Sequence, residues 1–314
     1  MRIFHNANYD FIKWRWHALI VSLVIIWAGV ATVFMRGGLP LGIDFTGGTV
    51  VVVEFENPAV SEDSVRQALG PLGADAVVQR YQDPVKNDIM VRLPQTGTDA
   101  NLDEGANRIV SAIEAANLGA FKPISRDIVG PTVGADLQRK GIWATLTALG
   151  GILVYVGFRF RFTFAIGAIV ATFHDILITL VMLTWFHYDL SLNVIAAILT
   201  IAGYSVNDTI VVFDRVRENQ RTSRREPLDQ IVNRAVNQTL GRTIITSGTT
   251  FLAVISLFVF GGEVLRGFAF TMIVGIVTGT YSTVFIAAAI AIILSRRAPS
   301  PAAAAAQARA KRRA

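Results

Sequence analysis

Asp208 is a carboxylate inside a run apolar enough to lie in a bilayer, Thr200-Ile-Ala-Gly-Tyr-Ser-Val-Asn-Asp-Thr-Ile-Val-Val-Phe213. At 100° per residue, Asn193, Thr200, Tyr204, Asn207 and Asp208 share one stripe of a helix, and Ile195, Ile198, Ala202, Val206 and Phe213 share the opposite side, where lipid could sit. An ionisable group at such depth costs on the order of 2.5–3.5 kcal/mol on insertion scales. A chain that keeps one uses it for an ion, a proton or a buried partner, or ties it to a neighbouring helix as a structural carboxylate.

Two other apolar runs carry polar chemistry. His174-Asp175 lies near the middle of one, with Thr172 and Thr179 on the stripe of Asp175, and a neighbouring Thr, Ser or His could satisfy that carboxylate. Arg242 opens another, followed by Thr246, Thr249 and Thr250 on roughly its face. Asp208 and Arg242 fall towards the same end of their spans. A guanidinium stays charged, whereas a carboxylate in a poorly solvated site can take up a proton. Asp208 paired with Arg242, or protonated and released, would then form a switch. A static ion pair, or Arg242 snorkelling to the headgroups, is the structural alternative. Phosphate-loop and zinc-protease motifs are absent. Asp175 and Asp208 also lack the Tyr-Asp and Gly-x-Gly-Asp settings of intramembrane aspartyl proteases.

The elements that must position these residues follow from the hydropathy pattern. Of 314 residues, 52% are hydrophobic and only 17% charged, and the apolar residues cluster in long runs, which makes this an integral membrane protein. The net charge of +6 comes mainly from basic residues at the ends of those runs, so it speaks for orientation in a membrane and against a nucleic-acid surface. With no cysteine, a disulfide framework, a thiolate metal site and a thiol nucleophile are all excluded.

Residues 17–35 are long enough to cross a bilayer of ~30 Å and lack a convincing cleavage site behind them, which favours an uncleaved first span over a signal peptide. Five more spans are expected within 139–295, at roughly 141–158, 163–186, 190–213, 243–260 and 268–294, with a loop at 214–241 and a basic, disordered tail at 296–314. Gly275 and Gly279 form a G-x-x-x-G ridge, extended by Thr271 and Thr283, that suits close packing within the bundle. Lys13, Arg15, Arg159, Arg161, Arg215, Arg217 and further basic residues gather on one side, and the short loop on the other offers only Arg266. Both termini, with residues 1–16, are therefore expected to be cytoplasmic and residues 36–138 outside.

That outer stretch reads as a domain of its own. Strands are expected at Thr49–Glu56, Ala76–Tyr81, Asp88–Leu93 and Phe121–Val129, a turn at Asp83-Pro84 with Asn87, a helix capped by Ser61, and a second helix over Asp103–Ala116. The order β-α-β-β-α-β is the ferredoxin-like plan.

Several stretches resemble one family, the protein-export membrane proteins SecD and SecF. Leu41-Gly-Ile-Asp-Phe-Thr-Gly-Gly48 looks like its Asp-Phe-x-Gly-Gly signature. Gly203-Tyr-Ser-Val-Asn-Asp-Thr-Ile-Val-Val-Phe-Asp-Arg-Val-Arg-Glu-Asn219 is similar to the fourth-span motif of the SecF branch, and Asn237-Gln-Thr-Leu-Gly-Arg-Thr-Ile-Ile-Thr-Ser247 to the entry of its fifth span. Tyr9-Asp-Phe-Ile-Lys-Trp-Arg15 and Val129-Gly-Pro-Thr-Val-Gly-Ala-Asp136 also fit. The resemblance runs from about residue 8 to 296 and implies six helices in an RND-like bundle, with the α+β domain in the periplasm of a bacterial inner membrane. It also implies an accessory subunit of the Sec translocase, not an enzyme, that pairs with SecD beside SecYEG, often with YajC. Such a subunit uses the proton-motive force to complete export of an unfolded polypeptide. No cofactor is implied, only protons as coupling ion. By motif, Asp208 matches the family's proton-path aspartate, and Arg242 the arginine that opens the fifth span. Asn207 and Tyr204 stand in the same motif, and Asp175 is a further candidate. Asp44, Phe45, Gly47 and Gly48 match the signature loop, where the glycines suit φ > 0 or close backbone approach. An RND-like small-molecule or lipid exporter subunit and a purely structural partner of SecD are the competing readings.

Overall fold

The computed structural model describes residues 7–74, 76–80, 87–94, 102–223 and 226–297. The turn expected at Asp83-Pro84 and the tail from Ala298 lie outside them. The chain divides into two compact units. One holds the described residues within 40–145 and 189–192, the other those within 7–39, 146–188 and 193–297.

The first unit is built on a four-stranded antiparallel sheet of β1 (Gly48–Phe55), β2 (Val77–Arg80), β3 (Asn87–Leu93) and β4 (Phe121–Val129), in the order β2-β3-β1-β4. With α3 (Glu62–Ala68) and α4 (Leu102–Ala115) between strands, this is the expected βαββαβ plan. Alternation fills the core: Val51, Val53 and Phe55 of β1 meet Ile89 and Val91 of β3, Val65 of α3, and Ile109 and Ile113 of α4. Ser61 caps α3 as expected, its Oγ accepting from the Ser64 N–H at 3.2 Å.

Among the described residues, six helices are long and apolar enough to cross a membrane, and the second unit holds most of them. These are α1 (Arg15–Met35, preceded by a 3-10 turn at Ile12–Trp14), α5 (Pro131–Arg159), α6 (Phe162–Trp185), α7 (Leu192–Thr222), α8 (Leu228–Phe260) and a last span. The last span runs as α9 (Gly262–Ser282), a π turn over Thr283–Ala287, and α10 (Ala288–Arg297). A short α2 (Ile43–Thr46) lies in the signature stretch.

The loop expected at 214–241 is mostly helix, since α7 continues to Thr222 and α8 begins at Leu228. The extensions hold each other. Arg215 donates to Gln238 at 2.8 Å and to Glu218 at 2.6 Å, and Asn219 donates to Gln238 at 3.0 Å. Pro227 at the N-cap has the φ of −59° that suits a helix start.

The lipid face expected on α7 is a packed face instead. Ile198, Ala202, Val206 and Phe213 are buried and Ile195 half-buried, whereas Asn193, Thr200 and Asn207 are left uncovered by the chain. Phe213 sits edge-on to Phe164 of α6, 5.1 Å between ring centres, and clusters with Ile231 and Val232 of α8 and Ala291 of α10.

The glycine ridge does pack within the bundle. A Cβ built on Gly275 would lie 2.2 Å from the Ile201 side chain, and one on Gly279 would lie 3.2 Å from Ser205. Gly275→Ala should therefore force α9 away from α7 and cost about 1–3 kcal/mol, the range of overpacked cores. Thermal unfolding in detergent measures it, and an unchanged midpoint would refute this packing.

Candidate functional site

The polar centres of the helical unit are assembled largely by hydroxyls. Asp208 of α7 is buried, 8% exposed, and its Oδ1 accepts from Thr243 Oγ1 of α8 at 2.6 Å. Its Oδ2 is buried without a hydrogen bond among the described residues. Beside it, Thr209 Oγ1 and Thr283 Oγ1 are 3.0 Å apart, at the first residue of the π turn. Such turns interrupt α-helices frequently at functional sites.

The expected pairing of Asp208 with Arg242 is not formed. Consecutive residues of a helix point about 100° apart, so the register that turns Thr243 onto Asp208 sends Arg242 elsewhere. Arg242 is exposed and lines a cavity of about 430 Å³ with Val211, Asp214, Arg215, Glu218, Gln238 and Thr239. Tyr204 is half-buried and donates from its hydroxyl to Ser247 at 3.3 Å. Asn207, expected on the same path, is exposed.

Asp175 forms a second centre. It is fully buried, with His174 Nδ1 at 2.9 Å from Oδ1, and Ser205 and Ser282 donating to Oδ2 at 2.5 and 2.7 Å. The expectation that nearby Ser or His groups satisfy this carboxylate holds.

The signature loop belongs to the sheet unit. Gly47 has φ +70° and Gly48 φ +126°, and a Cβ on Gly47 would lie 2.9 Å from the Pro131 Cα, so both anticipated reasons for glycine apply. Phe45 is buried. Asp44 Oδ2 accepts from the Leu192 N–H at 2.8 Å, satisfying one of the free donors in the first turn of α7. Around it, Leu41 and Leu190 pair as a parallel bridge, with Gly42 N–H to Leu190 O at 2.8 Å and Leu190 N–H to Pro40 O at 2.7 Å. Arg92 of β3 donates to Leu41 O at 3.0 Å and pairs with Asp189. Burial holds this guanidinium below its ordinary pKa, and Asp189 supplies the countercharge. Asp44→Ala should cost about 0.5–2 kcal/mol, as lost helix caps do. Hydrogen exchange at the start of α7 should rise, and unchanged protection there would refute the cap.

Two further stretches singled out in the sequence meet each other. Asn237 accepts from the Tyr9 N–H and donates to Tyr9 O, both at 2.8 Å, and Asn233 accepts from the Phe11 N–H at 3.0 Å. Sequence reasoning did not assign Thr243, Thr209, Ser205 or Ser282 to a site. Ser205 and Thr209 stand in the motif around Asp208, and Thr243 follows Arg242, which was the available signal.

Comparison with known proteins identifies the family. A family model for the C-terminal part of the protein export membrane proteins SecD/SecF matches residues 110–297, and one for the SecD/SecF GG motif matches residues 35–59. The protein translocase subunit SecF of Rhodothermus marinus is 44% identical over 308 residues, which cover 95% of this chain and 97% of that protein. SecF of Escherichia coli O157:H7 is 41% identical over 292 residues, 92% of this chain and 88% of that one. The crystal structure of SecDF from Thermus thermophilus, described as a translocon-associated membrane protein, is similar with a TM-score of 0.81 at 36% identity. The match covers 93% of this chain and 39% of SecDF, so this chain spans about two fifths of that longer one. A structure of SecDF in its super-membrane-facing form gives a TM-score of 0.68 at 35% identity over 98% of this chain and 41% of SecDF. On these grounds the chain belongs to the SecD/SecF family of protein-export membrane proteins, within the branch of SecF translocase subunits.

Proposed function

We propose that this multi-pass membrane protein is an accessory subunit of the Sec translocase that couples the proton-motive force to a late step of protein export, working with SecD. The observation that carries the reading is Asp208, a buried carboxylate with one oxygen on Thr243 and the other without a hydrogen bond among the described residues. It stands where the family's proton-path motif predicts it. Protonation removes its charge and changes what Thr243 can donate to, so α7 and α8 have two states to choose between. Arg242 acts from the cavity it lines with Asp214 and Glu218, where it sets the field along the approach, rather than as a direct partner.

A charge crossing the full potential is worth ~2.3 kcal/mol per 100 mV, so one proton biases a two-state equilibrium by tens- to hundredfold. That suffices for a ratchet on an emerging chain. The clustering of basic residues supports an inner-membrane topology with residues 36–138 periplasmic. SecYEG, YajC and the unfolded exported polypeptide complete the proposed set of partners.

The test is export into inverted membrane vesicles, wild type against Asp208→Asn, with and without an uncoupler, at equal protein level and complex formation. Loss of the uncoupler-sensitive fraction in the variant supports proton coupling. A variant that behaves like wild type makes the chain a structural partner of SecD.

A further inference from the structure

The helical unit holds a second buried acidic centre, and its hydrogen bonds differ in kind from those of Asp208. Asp175 Oδ2 lies within hydrogen-bond reach of two hydroxyls, Ser205 Oγ at 2.5 Å and Ser282 Oγ at 2.7 Å, the latter also 3.2 Å from Gly279 O. Oδ1 lies 2.9 Å from His174 Nδ1, which leaves one shared hydrogen on that side. The other ring nitrogen, His174 Nε2, is buried and makes no hydrogen bond among the described residues, in a side chain only 7% exposed. The titratable neighbours of this imidazole are Asp175 on its own helix and Tyr281 on α9, whose ring centre is 6.1 Å away. Helix α1 contributes Ala18 O, which accepts from the Tyr281 hydroxyl at 2.8 Å, and Ser22 Oγ, 3.1 Å from the same hydroxyl. Helix α7 contributes Ser205.

We propose that the His174–Asp175 pair is a second proton-binding centre of the bundle, with the imidazole as the group that holds the proton. The step balances simply. With Nδ1–H donating to the Asp175 carboxylate, uptake of one proton at Nε2 converts neutral imidazole to imidazolium and takes the pair from net charge −1 to 0. Release at Nε2 reverses it. Both serines hold the carboxylate in place, so the imidazole keeps one orientation and one tautomer while it is neutral.

The centre is also wired to Asp208. Ser282 bonds Asp175 and the next residue, Thr283, bonds Thr209, the neighbour of Asp208. On the other side, Ser205 and Asp208 are three residues apart on α7, one on each centre. The π turn that starts at Thr283 marks the place where one helix serves both. A proton arriving at either centre therefore alters the bonding of residues adjacent to those that hold the other. This inference deepens the proton-coupled reading proposed above and rests on it for its role in export, though not for the titration itself.

The experiment uses the full chain assembled with its partner in lipid nanodiscs, labelled with 15N-histidine. The chain has four histidines, His5, His17, His174 and His187, so the spectrum is simple. The expected result is a single-proton titration of the His174 Nε2 resonance between about pH 5 and 9, absent in His174→Asn, whose amide keeps the bond to Asp175 but takes up no proton. Should that variant not assemble, replacing His5, His17 and His187 together leaves His174 as the sole signal. A resonance that does not move across this range overturns the proposal. The outcomes separate cleanly: an inert His174 with a dead Asp208→Asn removes only the second centre. A titrating His174 with a fully active Asp208→Asn leaves a proton site while removing its role in export.

Discussion

Asp208→Asn is expected to reduce the uncoupler-sensitive part of export by tens-fold, close to its floor, and to leave the uncoupler-resistant part unchanged. The magnitude follows from what one proton falling through a potential of 100 mV can bias, ~2.3 kcal/mol. Asparagine is nearly isosteric and its amide oxygen can still accept from Thr243, so the packing around Phe213 and Ile201 should persist and the change isolates protonation. Arg242→Gln should impair the same fraction through the cavity field. The double variant should then be no worse than Asp208→Asn alone, because both act on one path. Additive losses would place Arg242 on a separate function. These comparisons need vesicles with matched amounts of complex, since a helix that fails to insert would mimic every outcome.

Gly47→Val should be the most damaging change outside the helical unit. A side chain at φ +70° costs about 1–2 kcal/mol, more when β-branched. The new Cβ would also stand 2.9 Å from the Pro131 Cα, against backbone that cannot rotate away. Together these should reach about 3 kcal/mol or more, in the range where point changes unfold marginal domains. Limited proteolysis of residues 36–138 in membranes should show rapid cleavage. Gly37→Ala is the control: it shares a positive φ, +79°, but meets nothing within 4 Å, so only the strain should remain. Equal protease resistance of Gly47→Val and wild type would refute the close approach.

Much of the fold was legible because its signals are local. Length and apolarity mark the six spans, alternation marks the strands, and Ser61 before Glu62-Asp63 marks a helix start. The face of α7 was misread for a reason peculiar to membranes. Lipid tails are as apolar as leucine, so a stripe such as Ile198, Ala202, Val206 and Phe213 suits lipid and packed protein equally, and periodicity finds the stripe without saying what covers it. The site was half legible. Asp208 and Asp175 announce themselves by charge, but their partners are Ser and Thr, which in helices usually bond their own carbonyls, as Thr246 does to Arg242 O at 3.0 Å. No composition rule distinguishes Thr246 from Thr243, which reaches across to another helix. Arg242 was the conspicuous countercharge, and one residue of helical phase took it out of reach.

The small parallel bridge between Leu41 and Leu190 also has a bearing on biogenesis. Asp44 and Leu192, which it brings together, stand 148 positions apart in the chain. All four strands of the sheet have emerged by Val129, so its core can close early. At about 5–20 residues per second of synthesis, Asp189–Leu192 arrives several seconds later, after α5 and α6 have been made. During that interval Arg92 has no Asp189 to meet and Asp44 no helix to cap. Completion of the sheet unit thus waits on the helices behind it, which makes that clasp a checkpoint that the ribosome reaches only after α6 is complete.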